Sequence, residues 1–168
     1  MMNFDVIHGS ILDVDAEVIV NAANSYGMMG GGVAGVIKRA AGSVVEDEAR
    51  KQAPIPVGQA VLTSGGNTKF KGIIHAPTMT EPSMLIPAHH ASLATSAALR
   101  MADVRGFASV AIPGMGTGVG GVSAEEAARH MIDAIKQFAP RSLRVVLLVD
   151  VDPNMVQAWR KQLIAYGL

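Results

Sequence analysis

Twice in this chain a short apolar run ends in glycines that hand over directly to a helix-period segment. The first joint reads EVIVNAAN, then the triplet Gly30–Gly32, then VAGVIKRAA. The second reads FASVAI, then PGMGTGVGGV (Pro113–Val122), then a helical stretch opened by Ser123. Strands that turn into helices are the repeating joint of a layered α/β fold, with one sheet covered by helices. The joint also leaves the first N–H groups of a helix unpaired, at the positive end of its dipole. Glycine lets a ligand come close because no Cβ intervenes, and successive N–H groups there can curl into a nest for an anion. One such loop suits a phosphate and two converging loops suit a diphosphate. The competing reading is a pair of tight turns.

Periodicity extends this pattern along the chain. Strands are expected at 2–7, 17–22, 58–64, 72–77, 107–112 and 143–149, and helices at 31–41, 43–53, 88–104, 124–138 and 153–166. This predicts a three-layer α/β/α sandwich around a mixed, largely parallel sheet. Gly42 reads as the residue closing the first helix. Ser43 with Glu46, and Ser123 with Glu126, fit the S-x-x-E capping box, while Asp152 before Pro153 reads as an N-cap followed by a proline at N1. The segment APTMTEPSMLIPAHH (Ala76–His90) carries three prolines and reads as a mobile loop. At 168 residues, with no linker-like or repetitive stretch, residues 1–168 are expected to form one domain.

Composition excludes several function classes. Lys plus Arg equals Asp plus Glu at 14 each, and the basic residues form no run, so there is no electrostatic footprint for nucleic acid. The chain has no cysteine, which removes disulfides and thiolate-bound zinc and fits a reducing compartment. The start, MMNFDVIHGSILDVDAEVIV, lacks a basic segment followed by a long apolar one, and no apolar stretch approaches the ~18 residues of a membrane span. A cytoplasmic protein with no membrane partner is the expectation. The sequence carries no signature of an oligomeric state.

The polar candidates are few. Asn21 and Asn24 each offer a donor and an acceptor, which suits a ribose diol beside a phosphate cradle and equally suits a self-bonded Asx turn. Gly116, Gly118 and Gly121 make a GxGxxG match, but Asp150 lies 29 positions after Gly121, against about 20 in a dinucleotide-binding unit. No GxxxxGK[ST] is present. His75 sits in an apolar strand and reads as structural. His89 and His90 are adjacent on a helix, so they diverge by about 100° and make a poor metal pair. His130 is expected to face solvent, and Asp13 and Asp15 to sit in a solvated turn. Asp150 with Asp152 resembles a DxD metal pair, but Asp152 is accounted for as a helix cap. No metal and no cofactor are implied.

Taken together, DAEVIVNAANSYGMMGGGVAGVIKRAAG and PGMGTGVGGVSAEEAARHM strongly resemble the macrodomain family, whose members bind ADP-ribose and related metabolites. GQAVLTSGGN (Gly58–Asn67) and IIHAPTM (Ile73–Met79) resemble the family's intervening strands in the same order, so the likeness covers nearly the whole chain and is nearest to compact prokaryotic members. The resemblance implies the macrodomain fold and a site for ADP-ribose or ADP-ribosylated molecules. It implies that Asn24 contacts the distal ribose and is the residue nearest any chemistry. Gly31, Gly32 and Val33 would present N–H groups to that ribose and the diphosphate. Gly116, Thr117, Gly118 and Val119 would form the second phosphate loop, and Ile11 would serve the adenine end through its backbone.

Departures from the family pattern sharpen the expectation. Where the family often has an aspartate that accepts from the adenine amino group, this chain has Ser10, which exchanges a charge-assisted contact for a neutral one. The place of an adenine-stacking aromatic holds Val149, and that of a ribose-packing aromatic holds Gly120. Hydrolytic members often carry an aspartate just after GGGV, here Ala34, and some viral members place a histidine just before the triplet, here Met29. Neither can move a proton. The expectation is ADP-ribose binding, weaker than with the full set, and at most weak hydrolysis. The alternatives are an ADP-ribosyl hydrolase, acting in de-ADP-ribosylation or O-acetyl-ADP-ribose deacetylation by substrate-assisted water attack, or a pocket for another phosphorylated nucleotide.

Overall fold

The computed structural model describes residues 2–82 and 84–167. The order is β1 (Asn3–His8), a 3₁₀ turn (Ile11–Asp13), β2 (Val18–Asn24), α1 (Gly32–Ala41), α2 (Ser43–Lys51), β3 (Val61–Thr63), β4 (Gly72–Met79), α3 (His89–Val104), β5 (Ser109–Ile112), α4 (Ala124–Gln137), β6 (Val145–Asp150) and α5 (Pro153–Ala165). The strands form one sheet in the order β1-β6-β5-β2-β4-β3. Every neighbouring pair is parallel except β3 with β4. This is the mixed, largely parallel sheet expected from the sequence.

Near-continuous apolar strands are what a sheet covered on both faces requires. Val18, Val20, Ile74, Ala76, Val110, Ile112, Val146 and Leu148 point to one core, shared with α3, α4 and α5. Ile19, Ile73, Ala111, Leu147 and Val149 alternate to the other, shared with α1 and the start of α2. The period of two thus builds two cores back to back.

Several local expectations change. β3 is shorter than 58–64, because Gly58 adopts a φ of +98° and the chain turns before Val61. β2 runs on to Asn24, since Ala22, Ala23 and Asn24 still pair with β4. β4 runs past the expected 72–77 to Met79, into the segment read as a loop; Pro77 pairs with Ala23, beyond the last β3–β4 pair at His75, where a missing N–H costs the ladder nothing on that side. Ser43 does not cap α2; Gly42 is the N-cap, with no side-chain bond. Ser123 does cap α4, accepting from the Glu126 amide, and Asp152 caps α5 through the Asn154 amide ahead of Pro153. Gly42 closes α1 at φ +93°.

Candidate functional site

Adjacent parallel strands β2 and β5 send their following helices to opposite faces of the sheet, α1 into one core and α4 into the other. Such a reversal opens a crevice at the carboxyl ends of the strands. A cleft of about 940 Å³ lies there, within the size range of small-molecule sites. The twelve residues singled out from the sequence all line it: Ser10, Ile11, Asn24, Gly31, Gly32, Val33, Gly116, Thr117, Gly118, Val119, Gly120 and Val149. Asn21 does not. A separate shallow depression of about 520 Å³, lined by residues that include Glu48, Lys51, Ser64 and Lys71, contains none of them.

The first loop is held rigidly from behind. The Asn24 amide donates to the Met28 carbonyl at 3.2 Å and accepts from the Tyr26 and Met28 N–H groups, so its side chain forms the local Asx-type turn. The Met29 N–H donates to Glu46 at 2.6 Å, and Lys38 holds the other Glu46 oxygen at 2.9 Å. The Lys38 bond, helped by the Met29 amide and opposed by burial, holds the Glu46 carboxyl below its ordinary pKa. This is where the glutamate of the expected capping box goes. Met29 itself is buried in the core beneath the loop.

Beyond Met29 the protein leaves open space. A Cβ added at Gly30, Gly31 or Gly32 would meet no atom within 4 Å. Gly32 needs its glycine for a φ of +59°, but Gly31 is extended at φ −150°, a conformation any residue adopts. α1 starts without a side-chain cap, and its first helical bond runs from the Gly35 N–H to Gly31. Its leading amides therefore face the cleft.

The second loop is built differently. Ser123 already caps α4, so this helix start is not free, and the amides on offer belong to the loop. Turn bonds from Gly121 to Gly118 and from Val122 to Gly116 fold it back, and among the described residues the Thr117, Gly118 and Val119 amides have no acceptor. Gly116 requires its glycine at φ +81°. A Cβ at Gly118 would meet nothing within 4 Å, whereas one at Gly120 would stand 2.6 Å from the Gly116 carbonyl oxygen. Gly120 thus has no room for an aromatic side chain; Ile86 packs there, its N–H bonded to the Gly120 carbonyl at 3.0 Å.

At the far end, Ser10 caps the 3₁₀ turn by accepting from the Leu12 amide. Val149 is fully buried under the cleft, and the exposed valine at the rim is Val151, at 68%. Asp150, which lines the cleft, accepts from the Gly114 amide at 3.0 Å and from the Asp152 amide at 3.0 Å. Its carboxylate braces the second loop. Arg39 lines the cleft too. Sequence reasoning weighed Asp150 only as a ribose-binding acid and as half of a DxD metal pair, and it passed over Arg39, whose one signal is its place seven residues after Gly32 on the same helical stripe.

Asn21 belongs instead to a buried polar trio. Its amide nitrogen lies 3.1 Å from His75 Nδ1, and His75 Nε2 lies 2.9 Å from the Thr63 hydroxyl. Burial pushes the His75 pKa down to about 4, so the ring is neutral. Among the described residues no group of His, Cys, Asp or Glu is arranged to hold a metal, and no helix is long and apolar enough to cross a membrane.

A family model described as Macro domain matches residues 20–131. A protein of Aquifex aeolicus is 59% identical over 162 residues, covering 96% of this chain and 98% of its own. One of Aeropyrum pernix is 51% identical over 141 residues, covering 84% and 75% respectively. Among solved structures, a mutant Oceanobacillus iheyensis macrodomain with ADPR superposes at a TM-score of 0.87, with 25% identity over 98% of this chain and 93% of that one. A Trypanosoma brucei macrodomain in complex with ADP-ribose shares the fold at a TM-score of 0.84, with 23% identity over 94% of this chain and 68% of that one.

Proposed function

The chain belongs to the Macro domain family, and from that premise we propose that residues 1–168 form a single macrodomain whose cleft binds ADP-ribose or ADP-ribosyl groups. The observation that carries this reading is the pair of bare positions Gly31 and Gly118. Neither a positive φ nor a neighbouring atom demands glycine at either one. Both border unpaired amides on opposite loops of one cleft. A diphosphate drawn against the backbone from two sides accounts for both. The Gly31, Gly32 and Val33 amides grip it from α1 and the Thr117, Gly118 and Val119 amides from the other loop, with Asn24 beside the distal ribose and Ser10 and Ile11 at the adenine end.

The same cleft is poor in proton-transfer groups. Met29 and Ala34 are apolar and buried, the Asn24 amide does not titrate, and both oxygens of Asp150 already accept backbone bonds. Binding therefore dominates, with hydrolysis slow and dependent on the substrate's own phosphate to position water. Calorimetric titration with ADP-ribose, ADP and AMP tests this. Micromolar or weaker binding, falling in that order, is expected, with only a slow release of ADP-ribose from mono-ADP-ribosylated protein. Equal affinity for AMP would overturn the diphosphate grip. Submicromolar ADP-ribose binding would contradict the thinned adenine end.

A further inference from the structure

One charged residue of the cleft lies outside the two loops of backbone amides. Arg39 is the only cationic side chain lining the cleft among the described residues, and the two ion pairs those residues form, Lys38–Glu46 and Lys71–Glu17, do not include it. Gly32, Val36 and Arg39 follow at i, i+4 and i+7, so they share the cleft-facing stripe of α1. Seven residues of helix put the Arg39 Cα about 10 Å beyond Gly32 along the axis, and its guanidinium reaches back from there to the level of Gly35. A ligand held by its phosphates at the start of α1 and running along this stripe brings its nucleoside to Val36 and Arg39.

The side chain is also seated. Gly35 lies inside α1, where glycine weakens a helix. A Cβ there would stand 3.3 Å from the Gly30 carbonyl oxygen and 3.4 Å from a guanidinium nitrogen of Arg39. The missing Cβ lets Arg39 fold back toward the helix start, the direction in which helical side chains lean, and lie against α1. Among the described lining residues there is no Phe, Tyr, Trp or His, and Val149 is fully buried. A nucleobase in this cleft finds no aromatic ring to stack on. A guanidinium is planar and delocalised, and base faces stack on it.

We propose that Arg39 holds the nucleoside end of the ligand, its guanidinium stacking on the base beside Val36. This rests on the ADP-ribose reading above. The test is calorimetric titration of the full chain with ADP-ribose, at low and high salt, for the unaltered protein and for Arg39→Ala, Arg39→Lys and Arg39→Phe. Arg39 is exposed on α1, and a melting curve for each variant checks that it folds. Stacking predicts that Arg39→Ala weakens binding about tenfold, a loss in the range for one base stack. Arg39→Phe restores it to within about threefold because a ring replaces the plane, Arg39→Lys does not, and the loss is similar at both salt levels. An Arg39→Ala protein that binds as well as the unaltered one overturns the proposal, as does an Arg39→Phe protein as weak as Arg39→Ala. In either case ADP-ribose still binds, so the functional reading stands. An unaltered protein that does not bind ADP-ribose overturns both.

Discussion

A glycine with no positive φ and no crowding neighbour costs a chain conformational entropy for no gain within the fold. Gly31 and Gly118 are such residues, and Gly120, with a carbonyl oxygen 2.6 Å from where its Cβ would be, is the contrasting kind. The two kinds separate under substitution. Gly31→Ala and Gly118→Ala are expected to leave folding stability unchanged or raised by about 0.4–1 kcal/mol, since alanine restricts the unfolded chain. Both should weaken ADP-ribose binding at least about tenfold, because a methyl group then occupies the ligand's space. Gly120→Ala should lower stability by about 1–3 kcal/mol through overpacking. Denaturant midpoints paired with titrations check all three, and a stability loss at Gly118 matching that at Gly120 would remove the distinction. The sequence displays all these glycines alike. Which are spare becomes visible only when the surrounding atoms are in place. Val149 shows the same limit, since the sequence does not tell that this strand-end valine lies fully buried under the cleft floor.

At the scale of the element, β4 carries the most consequential buried group. His75 stays neutral because burial drives its pKa down to about 4, against 6.5 in a free chain. Between those values the unfolded chain binds a proton that the folded chain refuses. Stability is therefore full above pH 6.5 and falls as the pH drops toward 4, on the order of 1 kcal/mol per pH unit. Glu46 and Glu17, whose carboxyls Lys38 and Lys71 hold below their ordinary value of 4.5, begin to lose their contributions only below that value, so the range from pH 6.5 to 4.5 reports His75. Denaturant midpoints measured from pH 7 to 4.5 should show this slope, and His75→Gln should abolish it while lowering stability throughout. The elements themselves were legible because their periods are strong: apolar strands with alternating cores, and helices with Gly42, Ser123 and Asp152 at their ends. What failed were pairings that depend on a third party. Glu46 satisfies the spacing of a capping box, yet it goes to the Met29 amide and Lys38 because the loop before the triplet crosses it. β4 runs two residues past the expected 77, and Pro77 is tolerated within it because β3 has already ended.

For the whole molecule, the placement of the site follows from topology. The glycine joints predicted two converging loops, and the sheet order brings them together by making β2 and β5 neighbours. No local signal in the sequence states that adjacency, which is why Asp150 and Arg39, one on β6 and one deep in α1, went unnoticed as lining. The reversal at β2 and β5 has a mechanical side as well. The helical layer of α1 and α2 and that of α3, α4 and α5 lie against opposite faces of the sheet, each fastened to its own core. A molecule held at once by the start of α1 and by the loop leading to α4 acts as a staple across the open edge of that sandwich. Saturating ADP-ribose is therefore expected to slow amide hydrogen exchange at Gly32–Ala34 and at Thr117–Val119 together and by similar factors. Protection on one side alone would mean that the staple has a single leg.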